Sequence, residues 1–220
     1  MKTISIVSRK GGSGKTTVAV QLALSLHRRG YGVVVADIDP QRSSFEVLKN
    51  ATDERLQVIP STGGKLASLQ AACARTSTDV LVIDTPAVLQ DELASAIGVS
   101  DLALLVVRPS FLDLSAAVAT GQVIRQLSRP GMVLINQAPA PRQGVEAPLV
   151  VRALRAASLL GLEVCQIVLR TRACYQQYLE GALSAEAVSS NPAANDEVAA
   201  LCALVEGRLF PTAHPAAAVL

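Results

Sequence analysis

Short unbroken apolar runs recur along the chain, and stretches with helical period separate most of them. The runs are TISIVS from Thr3, GVVVADID from Gly32, LQVIP from Leu56, DVLVIDTPA from Asp79, DLALLVVRP from Asp101, GMVLINQ from Gly131 and EVCQIVLRT from Glu163. Val, Ile and Leu fill consecutive positions in them, as in strands buried on both faces of a parallel sheet. Apolar positions three and four apart predict helices over about 15–29, 41–50, 65–75, 115–127 and 147–160, with Gly30 stopping the first. Two further helices are predicted, CYQQYLEGAL from Cys174 and NDEVAALCALVEGRL from Asn195. Strands alternating with helices at this spacing predict an α/β fold, a doubly wound, mainly parallel sheet flanked by helices. No linker or repeat interrupts the pattern, so residues 1–210 are read as a single domain and PTAHPAAAVL, 211–220, as a flexible tail.

Composition narrows the core and the compartment. Half of the 220 residues are hydrophobic but only 3% are aromatic, so the interior is expected to be aliphatic. The apolar runs are too short to cross a bilayer as helices, and no apolar segment of a signal peptide precedes the first strand. Cys73, Cys165, Cys174 and Cys202 form no C-x-x-C pair and are expected to be reduced thiols of a cytoplasmic chain.

Between the first strand and the first helix the chain reads SRKGGSGKTT, from Ser8 to Thr17. This is nearly the phosphate-binding pattern G-x-x-x-x-G-K-[ST], with Arg9 where the first glycine would stand. Gly11, Gly12 and Gly14 allow close backbone approach to phosphates, and the helix N-terminus presents amides to them. Lys15 would neutralise the β- and γ-phosphates, and the Thr16 hydroxyl would bind Mg²⁺. Ser13 and Thr17 complete the nucleotide-binding run. Two acidic segments agree with this: Asp37 and Asp39 end one strand, and Asp84 ends another behind four apolar residues. Ligands of open α/β sheets bind at such carboxyl ends, and a carboxylate there can hold a metal-bound water. Thr16, Asp37, Asp39 and Asp84 are therefore the metal-site candidates.

KGGSGKTT resembles the deviant Walker A motif of the ParA/MinD ATPases, a branch of the P-loop NTPases. DIDPQ, from Asp37, resembles switch I of the ParA branch, and VIDTPA, from Val82, its Walker B and switch II segment. RPSFLDLSAA, from Arg108, is similar to the switch-proximal stretch of small plasmid-partition ATPases. The resemblance implies ATP and Mg²⁺ as cofactors and a homodimer with ATP at its interface. Lys10, the signature lysine, would cross to the partner's phosphates. Asp39 matches the residue that orients the attacking water, and Asp37 one near the Mg²⁺ shell, which makes Lys10, Lys15 and Asp39 the catalytic candidates. Asn136 matches a base-contacting asparagine, and LRTRACYQQY falls at the second wall of the base pocket. Hydrolysis should be slow and stimulated by a partner, a ParB-like or other small DNA-binding adaptor. The implied role is to partition or position a plasmid, chromosome or protein cargo, in the cytoplasm and on the nucleoid.

Charge distribution adds a DNA expectation. The net charge is only +2, yet Arg125 to Arg172 holds seven arginines against Glu146 and Glu163, a surplus of five. Arg152, Arg155, Arg170 and Arg172 are the residues expected at non-specific DNA, through phosphate contacts, with nucleotide as the alternative for Arg170 and Arg172 at the end of the last strand. The scarcity of aromatics disfavours a base-stacking single-strand module. A MinD-like membrane-associated ATPase is the alternative, but PTAHPAAAVL lacks the basic residues of a membrane-surface helix. No cysteine lies between Cys73 and Cys165, which argues against a cluster-clamping electron-transfer ATPase. DIDPQ disfavours a biotin-pathway ligase on the same fold. Because the chain opens directly on the first strand, it is expected to resemble the small partition ATPases without a helix-turn-helix domain.

Overall fold

β1 (Lys2–Val7) lies at the centre of a seven-stranded sheet, with β4 (Val80–Asp84) on one side and β5 (Leu102–Val107) on the other. β2 (Val33–Asp37) and β3 (Leu56–Pro60) extend the sheet beyond β4, while β6 (Gly131–Ala138) and β7 (Glu163–Arg170) extend it beyond β5. The order is β3-β2-β4-β1-β5-β6-β7, and every pairing is parallel. This computed structural model describes residues 1–50, 53–87, 90–175 and 191–211.

Parallel neighbours need crossovers, and helices supply them on both faces. On one face Ile4, Ile6, Val35, Val82 and Leu104 pack against α1 (Lys15–Arg28) and α7 (Pro192–Leu209), the last helix among the described residues. On the other, Leu105, Val133 and Ile135 meet α4 (Gln90–Gly98), α5 (Phe111–Gln126) and α6 (Pro148–Ser158). Val34, Leu81 and Ile83 pack beside them against α3 (Leu66–Cys73). Burying one such aliphatic side chain stabilises by about 1.5–3 kcal/mol, so the strands are held by their packing as much as by their ladders. All four cysteines are buried and unpaired within this framework.

The elements depart from expectation in three places. α4 was not foreseen, because QDELASAIG is short and opens on polar residues. α5 begins at Phe111 rather than near Ser115. Its first turn carries Phe111 and Leu112, 82% and 67% exposed, which break the apolar period; the start is set instead by Ser110, whose Oγ accepts from the Asp113 amide at 3.2 Å. α7 begins at Pro192 behind an Asn191 cap, three residues ahead of the expected start. The helix expected over 174–183 lies outside the described residues except for Cys174 and Tyr175, as does nearly all of the expected tail. Among the described residues no helix is long and apolar enough to cross a membrane.

Candidate functional site

β1 ends at Val7, and the glycine-rich loop carries the chain into α1. Gly12 and Gly14 have φ of 72° and 91°, in the left-handed region that glycine adopts without strain. Gly14 is required for a second reason: a Cβ there would lie 2.3 Å from Asn136 Nδ2. The first turn of α1 has neither a side-chain cap nor an acidic residue, so its amides remain open to an anion. The loop is tied to the end of β6 by two side-chain amides. Asn136 Nδ2 donates to the Ser13 carbonyl at 2.8 Å, and Gln137 Nε2 donates to the Gly12 carbonyl at 2.9 Å. Asn136 thus spends one N–H on the phosphate loop. Gln137, unforeseen from the sequence, is a second clamp and holds a left-handed backbone, φ 54°.

Gly14→Ala is expected to strain the left-handed turn and force Asn136 off Ser13. The expected outcome is a loss of roughly 1–3 kcal/mol of stability in denaturant unfolding, together with weakened nucleotide binding by calorimetry. Unchanged values for both would show that the turn does not depend on glycine.

Lys15 lies at the base of this loop, only 7% exposed. Burial pushes its ammonium below the ordinary lysine pKa, while the Asp84 and Asp39 carboxylates pull the other way. Asp37 and Asp84 are fully buried and opposite each other in the β2–β4 register. Burial, and after it the charge of Asp37, raises the Asp84 carboxyl to about 7, against the Thr16 and Ser44 hydroxyls and Lys15. Among the described residues, however, both Asp84 oxygens and the Ser44 and Ser13 hydroxyls have no hydrogen-bond partner. The Thr16 and Ser44 hydroxyls lie near Asp84 without closing good bonds to it. A buried set of hard oxygen atoms with unused capacity beside a phosphate loop fits Mg²⁺, whose remaining positions are usually water and phosphate oxygen. Thr16 and Asp84 are the residues that could serve it.

Asp37 and Asp39 differ in how much of each carboxylate is committed. Asp37 Oδ1 accepts from the Asp39 amide at 3.0 Å, and Oδ2 from the Phe45 amide at 2.9 Å. It therefore caps α2 (Ser43–Leu48) and shapes the preceding loop. Among the described residues Asp39 accepts only from the Gln41 amide, at 2.9 Å on Oδ1, and it lines the cleft.

That cleft, about 840 Å³, has Gly11, Gly12, Gly14, Lys15, Thr16 and Thr17 as its floor. Asp39, Gln41 and Ser43 form one side, and Asn136, Gln137, Arg170, Thr171, Arg172 and Tyr175 the other. Its size and its position at the carboxyl ends of the strands suit a nucleotide. Lys10 does not line it. The charge of Lys10 acts instead on Asp113 at the start of α5. Burial works to raise the Asp113 carboxyl, but hydrogen bonds from Arg108 and Ser110, with the charges of Arg108 and Lys10, hold it below the usual range.

The four arginines expected at DNA separate into two pairs. Arg152 and Arg155 are exposed on α6 and have no ion-pair partner among the described residues. Arg170 instead forks onto Glu146 at 2.9 and 2.7 Å, and Arg172 pairs with Glu197; both form part of the cleft wall. The count along the chain missed this because Glu197 is distant in sequence and returns on α7. Among the described residues no group of three or more His, Cys, Asp or Glu could hold a metal ion by itself.

Comparison with known proteins places this geometry. The CobQ/CobB/MinD/ParA nucleotide-binding domain matches residues 4–183. Protein ParA of Rhizobium radiobacter is 29% identical over 57% of this chain and 57% of its own. The antiactivator FleN of Pseudomonas aeruginosa is 28% identical over 66% of this chain and 64% of its own. The alignments thus span about 57–64% of the length of these relatives. The cell-division ATPase MinD of Pyrococcus furiosus superposes with a TM-score of 0.73, at 23% identity, over 93% of this chain and 98% of that one, a likeness of fold.

Proposed function

The chain belongs to the CobQ/CobB/MinD/ParA family of nucleotide-binding domains, the deviant Walker A ATPases, and on that premise we propose that it is a ParA-type ATPase. It binds ATP with Mg²⁺, dimerises around the nucleotide, and binds DNA without sequence preference. A plasmid, chromosome or protein assembly is its cargo, and a ParB-like or small DNA-binding adaptor stimulates hydrolysis.

The observation that carries this reading is the position of Lys10. Gly11, Gly12 and Gly14 to Thr17 line the cleft, while Lys10 is not on its lining and its charge acts on Asp113 of α5. A cation beside a phosphate site, yet not on its lining, is available to the phosphates of a second copy. Binding energy then comes from both chains, so ATP joins them. When bound, Mg²⁺ neutralises charge on the β- and γ-phosphates. Lys15 and the amides of the loop hold those phosphates, and Asn136 and Gln137 hold the loop. Asp39 orients the attacking water and accepts its proton, leaving Asp37 to shape the turn.

For DNA, the reading favours Arg152 and Arg155, which are exposed and have no ion-pair partner among the described residues, over Arg170 and Arg172, which serve the nucleotide wall. Light scattering with ATP and Mg²⁺ is expected to show a dimer, and only that form should retain duplex DNA of arbitrary sequence. In the Arg152→Ala/Arg155→Ala variant, a fluorescent ATP analogue should bind as before. DNA affinity should fall, and the slope of log affinity against log salt should shrink by roughly 2 per protomer. A chain that stays monomeric with ATP refutes the dimer, and an unchanged slope moves the DNA surface elsewhere.

A further inference from the structure

Arg42 follows DIDPQ directly, at the N-cap of α2, with φ 54° and ψ 32°. A residue with a Cβ seldom occupies this left-handed region unless something holds it there. The guanidinium is what holds it. Nη1 donates to the Asp37 carbonyl, and Nη2 donates to the Ser61 carbonyl at 3.1 Å. Those carbonyls stand at the carboxyl ends of the neighbouring strands β2 and β3, where the Ser61 amide also donates to the Asp37 carbonyl at 2.8 Å. One planar fork therefore fastens the turn to two strands, which a lysine's single ammonium does less well.

Between these anchors hangs the loop that carries Asp39. The Arg42 amide donates to the Asp39 carbonyl at 2.9 Å, and the Gln41 amide donates to Asp39 Oδ1. The Asp39 and Phe45 amides close onto Asp37. Asp39 is thus held from both sides, by Asp37 before it and by Arg42 after it. Arg42 itself is half-buried and does not line the cleft, so it acts on the loop and not on the nucleotide.

We propose that Arg42 is the positioning residue of this site: its guanidinium locks the 39–42 turn onto the ends of β2 and β3 and so fixes the Asp39 carboxylate for water activation. This rests on the hydrolysis reading above. Glycine at this position removes the backbone strain and the anchor together, whereas lysine keeps the charge and loses the fork.

The test compares wild type, Arg42→Gly and Arg42→Lys by three measurements: affinity for a fluorescent ATP analogue, single-turnover ATP hydrolysis, and amide hydrogen exchange over 37–46. In Arg42→Gly, affinity should stay within about 3-fold, hydrolysis should slow by roughly 10-fold or more, and the Asp39, Gln41 and Phe45 amides should exchange faster. Arg42→Lys should fall between glycine and wild type in both rate and exchange. Wild-type hydrolysis in Arg42→Gly overturns the proposal. So does a loss of affinity that parallels the loss of rate, or slowed hydrolysis with unaltered exchange. If the wild-type chain binds ATP but does not hydrolyse it, the hydrolysis reading fails, and exchange alone decides the anchor: unaltered protection in Arg42→Gly overturns it.

Discussion

Lys15→Ala is expected to abolish measurable ATP binding while the chain stays folded. The reason is electrostatic. The ammonium is buried beside two carboxylates, and burial already lowers its pKa. A charge held at such a cost in the free chain returns its full value only when phosphate arrives. Without it, the triphosphate would enter a cleft flanked by Asp39, with the buried Asp84 close by and no other buried cation among the described residues to meet it. Truncating one partner of a desolvated charge pair costs about 2–5 kcal/mol, a fall of roughly 30-fold to several thousand-fold in affinity. Calorimetric titration with ATP and Mg²⁺ measures it directly. Thermal unfolding supplies the control: the variant should lose the nucleotide-induced rise in Tm and keep a Tm close to wild type without nucleotide. Retained tight binding would remove Lys15 from the phosphate site.

Asp39→Ala is expected to hold the chain in an ATP-bound dimer. Its carboxylate lines the cleft with one oxygen engaged by the Gln41 amide, whereas both oxygens of Asp37 are engaged by amides. Of the two, Asp39 is the one free to take a proton from water. Removing a positioned general base slows the chemical step by roughly 10²–10⁴-fold. The same change removes a negative charge that acts on Lys15, so ATP affinity should hold or rise. Sedimentation in the presence of ATP should show a dimer that persists long after wild type has returned to monomer. A normal monomer–dimer cycle in this variant would refute the role given to Asp39.

The strands, most of the helices and the phosphate loop could be read without coordinates, because each is written locally. A buried parallel strand needs consecutive aliphatic residues, as in VVVAD and VLVID, and a phosphate turn needs glycines followed by Lys and Thr. These demands fall on neighbours in sequence, where a pattern can register them. α4 and the first turn of α5 escaped for the same reason in reverse, since polar or exposed residues there hide the period.

Contacts between distant segments were not legible. Nothing in INQ says that Asn136 and Gln137 reach back more than a hundred residues to hold the carbonyls of Ser13 and Gly12. Arg170 and Arg172 add to a basic count along the chain, but folding brings Glu146 and Glu197 onto them and turns them into a paired wall of the cleft. Arg42 looks like one more charge after DIDPQ until its guanidinium is seen on two strand ends. The sequence by itself determined the succession of the strands and most of the helices, the cradle from Gly11 to Thr17 and the aspartates at the strand ends, because backbone geometry and local burial decide those. Tertiary structure alone decided which charges remain free, which are neutralised and which side chains hold the loops. Charge pairing and hydrogen bonding act through space over a few ångströms, and the chain brings those partners together only when the sheet closes its order.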